Sequence, residues 1–178
     1  LAERPPEGPV IKVTWAPVMP PEDMVAELEP LRADLEATLD QPVAFQVAPS
    51  YETAGALLAE GTTDFAVLPP YLYLTVRQRM GDDLNLMAFT EHDGATGVDG
   101  IIIAGQDVAW TGPESLRGRT FCFTDRSSTT GFVLPRQWMR DQGLDPDVDL
   151  GSAVMSGNHH QVIEDVATGK CEMGATFS

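Results

Sequence analysis

Asp125-Arg126-Ser127-Ser128-Thr129-Thr130-Gly131 is the stretch whose residue types could do chemistry. It follows an apolar run at 120–123 that reads as a buried strand. It precedes 132–142, which reads as a helix. A cluster of hydroxyls therefore falls where a helix begins. A helix start has N–H groups without intrahelical acceptors and a partial positive charge, so hydroxyls gathered there can hold an oxyanion. The simpler reading is an ordinary Ser/Thr cap. Gly131 would let the backbone approach a ligand closely. Pro135 removes a donor just inside the helix, which suits a special turn.

The elements that must position this turn can be read around it. Strands are expected at 10–15, 43–47, 64–68, 84–90, 100–104, 120–123, near Val154, and at 171–176. Helices are expected at 22–39, 51–60, 71–80, 132–142 and 161–167. Leu28, Leu31, Leu35 and Leu39 form a core stripe on the first of these, and Pro30 should kink or split it. Strand and helix alternate, which argues for α/β architecture with parallel sheets. Ligands in such sheets sit beyond the carboxyl ends of the strands. The loops there are Ala16-Pro17, Pro49-Ser50-Tyr51 and Pro69-Pro70-Tyr71. A lobe boundary is expected near 105–111. The division is then 1–9 as a linker or mature N-terminal tail, 10–104 as the first lobe, 105–119 as a crossover and 120–178 as an incomplete second lobe.

Composition narrows the partners. The 178 residues include 11 Lys plus Arg against 27 Asp plus Glu, a net charge of -16. Such a chain lacks the basic footprint that nucleic acid requires. A small anion is still compatible, provided local dipoles and hydroxyls hold it. Cys122 and Cys171 each lie in an apolar run; buried thiols are the first reading and pairing between neighbouring strands the second. No metal is expected, because His159 and His160 lack further ligands at zinc spacing. No cofactor is implied. His92 reads as a solvated turn residue.

Taken in order, several segments resemble the phosphate/phosphite/phosphonate substrate-binding proteins of ABC transporters. They are Val13-Thr14-Trp15-Ala16-Pro17, Leu31 to Glu36 with Gln41-Pro42-Val43, and Tyr51-Glu52-Thr53-Ala54. Gly61 through Tyr71, Asp125 to Pro135, Gly157-Asn158-His159 and Gly169 to Ala175 continue the series. The resemblance implies a two-lobed periplasmic-binding-protein-like fold of type 2, truncated at its C-terminus. It implies capture of a phosphorus oxyanion (phosphonate, phosphite or phosphate) rather than catalysis. The ligand-binding residues would be Tyr51, Ser128, Thr129, Thr130 and His159, with Ser127, Gly131, Pro70 and Tyr71 in supporting places. Tyr51 would donate from one lobe, and His159 would donate a ring N–H from the other. Val98 stands where the family often has a tyrosine, which removes one donor. The implied partner is an ABC permease or, alternatively, a fused signalling domain, in a periplasmic or extracytoplasmic location. A hydrolase built on Ser128 and His159 is the enzymatic alternative; a nucleophile elbow of the GxSxG type is missing from the sequence.

Overall fold

The computed structural model describes residues 8–178 except 92 and 93. His92 and most of the 1–9 tail thus lie outside the described residues. The chain divides into two compact units, Leu1–Met80 and Gly81–Ser178.

The first unit is built on three parallel strands in the order β2-β1-β3: β1 (Ile11–Trp15), β2 (Val43–Val47) and β3 (Phe65–Val67). Helices α1 (Pro21–Leu39), α2 (Tyr51–Ala59) and α3 (Pro70–Met80) connect and follow them. Helix α1 starts with Pro21, Glu22 and Asp23, a favourable combination at a helix N-terminus. It runs as one helix through Pro30, so the expected split does not occur. The leucine stripe is also corrected. Met24 is the buried residue of α1, while Leu31 and Leu39 are 46% and 48% exposed. Arg32 instead anchors one face by pairing with Glu29 and Glu36, and Glu36 accepts the Val43 N–H at 2.9 Å.

The second unit holds four strands in the order β4-β7-β5-β6: β4 (Gly100–Ala104), β5 (Thr120–Phe123), β6 (Ser152–Met155) and β7 (Met173–Phe177). β5 is parallel to both β6 and β7, whereas β4 runs antiparallel to β7. This corrects the lobe boundary. Residues 100–104 were expected to close the first lobe, but their ladder pairs with the last strand of the second unit. The strand expected at 84–90 is absent from the described structure: no ladder takes up this apolar run, and Met87 and Phe89 are 75% and 72% exposed.

Helices α4 (Leu134–Asp141) and α5 (His159–Ala167) cover opposite faces of this sheet. The two-residue period of β5 explains how. Phe121 and Phe123 point into a core with Leu116, Met139, Leu144 and Met173. Cys122 points the other way, against Val162, Val166 and Cys171. Cys122 and Cys171 form a disulfide, so the first reading of them as thiols is overturned and the second holds. Alternation placed Cys122 in the core, and the neighbouring strand's approach brought Cys171 to it.

Candidate functional site

The hydroxyl turn leaves the carboxyl end of β5. Asp125 opens it by accepting the Ser127 N–H on Oδ1 at 2.8 Å and the Ser128 N–H on its carbonyl at 2.9 Å. Residues Thr129–Val133 then form a π-helical turn that continues into α4. Pro135 accounts for part of this shape. It has no N–H to give the Gly131 carbonyl four residues back, and that carbonyl instead accepts from the Thr124 N–H at 3.2 Å. The Val133 N–H reaches back five residues to the Ser128 carbonyl at 3.0 Å. A regular helix from Phe132 was expected; the structure begins it earlier and with a wider turn.

Ser128 caps this turn. Its Oγ accepts the Gly131 N–H at 3.1 Å, and the residue is 1% exposed. Gly131 is required by packing. A Cβ there would fall 2.1 Å from Thr124 Oγ1, inside the contact limit. Thr124 is itself fully buried, and its Oγ1 has no hydrogen-bond partner among the described residues. Thr129 and Thr130 are the first two residues of the π-helical turn and are half-buried. Thr130 also borders a groove of about 430 Å³ lined by Gly100, Ile101, Trp110, Leu134 and Trp138. That wall is apolar, so the groove is not itself an oxyanion pocket. Positive charge near the turn is supplied by Arg126 and Arg136, whose guanidinium groups lie 5.8 and 4.9 Å from the Phe132 ring centre.

His159 reaches the same place from the adjacent strand. β6 lies parallel to β5, and the loop after it is tied to β5 by Ser156 N–H to the Phe123 carbonyl and Gly157 N–H to the Thr124 carbonyl, both 2.8 Å. Asn158 caps α5 by accepting the Gln161 N–H at 2.8 Å. Two helix N-termini thus emerge side by side at the carboxyl edge of one parallel strand pair. His159 is the first residue of α5 and is 6% exposed. Its Nε2 lies 3.3 Å from Ser128 Oγ, and its Nδ1 lies 3.1 Å from Thr176 Oγ1. Phe177 stands edge-on to the ring at 4.7 Å. Burial lowers the ring's pKa from 6.5 to about 4, so the imidazole is neutral at pH 7.

The structure therefore brings Ser127, Ser128, Thr129, Thr130, Gly131 and His159 together. Both ring nitrogens of His159 lie within hydrogen-bond reach of hydroxyls, Nε2 of Ser128 and Nδ1 of Thr176. Thr176 was not foreseen. The available signal was a polar residue inside a strand otherwise fit for the core, and it is 3% exposed. Tyr51, Pro70 and Tyr71 belong to the first unit. Tyr51 opens α2 after its Ser50 cap and is 1% exposed; Pro70 and Tyr71 open α3, and Tyr71 is 38% exposed. Val98 is half exposed. His160 is exposed and pairs with Glu164, and no group of His, Cys, Asp or Glu suited to a metal occurs among the described residues.

Hydroxyls at a helix start on the carboxyl edge of a parallel strand pair stand where α/β folds bind their ligands. Comparison with known proteins shows the family. Residues 13–178 match the family described as ABC transporter, phosphonate, periplasmic substrate-binding protein, and the chain belongs to that family. It is 26% identical over 164 residues to the phosphate-import protein PhnD of Mycolicibacterium smegmatis, covering 87% of this chain and 51% of that protein. Among solved structures it is similar to PhnD1 of Prochlorococcus marinus in complex with methylphosphonate, with TM-score 0.83 and 18% identity. That match covers 94% of this chain and 63% of the other. A binding-protein component of an ABC phosphonate transporter from Pseudomonas aeruginosa also gives TM-score 0.83, at 17% identity over 97% of this chain and 58% of that one. The fold is that of type 2 periplasmic binding proteins, and the chain spans about half to two-thirds of these relatives' length.

Proposed function

We propose that the protein captures a phosphorus oxyanion, a phosphonate, phosphite or phosphate, for ABC-type import and does no chemistry on it. The observation that carries this reading is the turn Ser128-Thr129-Thr130 at a helix start, with Ser128 held in place by Gly131 and His159. A tetrahedral phosphoryl group offers several anionic oxygens. Hydroxyl and N–H donors meet them without bulk positive charge, which suits a chain of net charge -16. Thr129 and Thr130 donate beside Ser128. The relatives point the same way: one is named for phosphate import and one was solved with methylphosphonate. An extracytoplasmic location accords with the family's description and with the Cys122–Cys171 disulfide, a bond favoured in oxidising compartments. The partner is an ABC permease, with a fused signalling domain as the alternative.

Thr129→Val tests the site, because it keeps the shape and removes the hydroxyl. Calorimetry with methylphosphonate and inorganic phosphate should show binding weakened roughly 10- to 100-fold, the worth of a hydrogen bond to a charged acceptor. Unchanged affinity would remove Thr129 from the site.

The Ser128–His159 contact favours a second reading as a hydrolase. Against it, a ring with a pKa of about 4 is a weak base, and its Nδ1 meets a neutral hydroxyl where a carboxylate would stabilise an imidazolium. Turnover of a phosphate ester that disappears in Ser128→Ala would establish the enzyme instead.

A further inference from the structure

Three buried groups form a continuous chain across three elements of the second unit: Thr176 on β7, His159 at the start of α5, and Ser128 at the start of the turn. Each is at most 6% exposed, so water does not freely substitute for a missing partner. Counting protons along this chain leads to a definite result. Ser128 Oγ has two lone pairs and one proton. One lone pair already accepts the Gly131 N–H. The neutral ring carries one N–H, on either Nδ1 or Nε2.

With the proton on Nδ1, the ring donates to Thr176, Ser128 donates to Nε2, and the Thr176 proton has no acceptor among the described residues. With the proton on Nε2, Thr176 donates to Nδ1, the ring donates to Ser128, and the Ser128 proton is left over. Each arrangement leaves one hydroxyl proton unplaced, and they differ in where it is. The second fills both lone pairs of Ser128 and makes it a pure donor towards a ligand.

We propose that Thr176 is a positioning residue of the binding site, which donates its hydroxyl proton to His159 Nδ1 when an oxyanion is bound, so that the ring proton on Nε2 meets Ser128 and the Ser128 hydroxyl proton is directed to the oxyanion. The proposal rests on the oxyanion-binding reading above. An anion supplies the acceptor that the Nε2-protonated arrangement lacks, so every proton in the chain is then placed. The other arrangement gains nothing from the ligand, because its Ser128 proton is already committed to the ring. Binding therefore selects one tautomer, and a hydroxyl on β7 that need not touch the ligand contributes to its affinity.

The experiment titrates the full chain, as wild type, Thr176→Val and Thr176→Ser, with methylphosphonate and with inorganic phosphate, using calorimetry for affinity and nitrogen NMR for His159. The wild type should show Nε2 protonated and Nδ1 bare in the bound state. Thr176→Val should bind roughly tenfold more weakly, the fold-change of one hydrogen bond between neutral groups. Thr176→Ser should restore most of the loss. Wild-type binding with equal affinity in Thr176→Val, or with His159 protonated on Nδ1 in the complex, overturns the relay and leaves the proposed function standing. Absence of wild-type binding to both probes overturns the proposed function and the relay with it. The NMR measurement on the wild type decides the matter even where Thr176→Val does not fold.

Discussion

The two units put similar elements to different use. In the second, β5 lies between β6 and β7 with helices on both faces, and Phe121, Cys122 and Phe123 are all fully buried. In the first, β1 also lies between two strands, yet only Val13 and Thr14 of its five residues are buried. Phe65 of β3 is 46% exposed and Leu74 of α3 is 55% exposed. The difference shows what a strand needs to become rigid support for a site: neighbours on both edges and cover on both faces. The hydroxyl turn springs from β5, which has both. His159 follows the edge strand β6, none of whose residues is buried, and its position is set by the ties of the 156–157 loop to β5 and by its own contacts with Ser128 and Thr176.

Several changes would break or sharpen this contrast. Removing the disulfide with the double substitution Cys122→Ala and Cys171→Ala should have the largest effect. The bond spans a sequence separation of 49 residues. Loop-closure entropy for such a span predicts a loss of about 4 kcal/mol, all of it in the second unit. Denaturant unfolding followed by hydrogen exchange should show the first unit unchanged; equal loss in both would mean that the units unfold together.

Acid should act on the second unit next. The first unit contains no histidine, and among the described residues the buried one is His159. Its pKa is lowered from 6.5 to about 4 in the folded chain. As pH falls, the unfolded chain takes up the proton first. Stability present at neutral pH is therefore lost between about pH 6.5 and 4, by about 3 kcal/mol in total. His159→Gln should flatten this part of the stability profile; a profile already flat in the wild type would contradict the burial of the ring.

Core truncation separates the units more finely. Met139→Ala, at a fully buried position, should cost at least about 2 kcal/mol. Leu39→Ala, at a position 48% exposed, should cost under about 0.5 kcal/mol. The smallest effect belongs to Thr124→Val. Its hydroxyl is buried without a hydrogen bond among the described residues, so removing it should leave the melting temperature the same or slightly higher.

Much of the arrangement was legible in the residues. Alternation of strands and helices gave the α/β class, and the hydroxyl cluster marked the helix start. The ordered segments from Val13 to Ala175 pointed to the family. What was missed depends on pairing between distant residues. Whether residues 100–104 close one sheet or edge another is decided by their ladder with Met173–Phe177, which no local pattern encodes. The apolar run at 84–90 looks like a strand but joins no ladder among the described residues. The period of Leu28 to Leu39 is helical and was read correctly, yet period alone says nothing about what covers that face. Thr176 escaped notice because the contact that singles it out is with His159, 17 residues away in sequence.

The most direct test is calorimetric titration of the wild-type chain with methylphosphonate, phosphite and inorganic phosphate, with sulfate as a control, repeated on Ser128→Ala. Saturable binding of at least one phosphorus oxyanion, weakened roughly 10- to 100-fold by the loss of one charge-assisted hydrogen bond in Ser128→Ala, is the predicted result. Binding of none of the three, or binding untouched by Ser128→Ala, would contradict it.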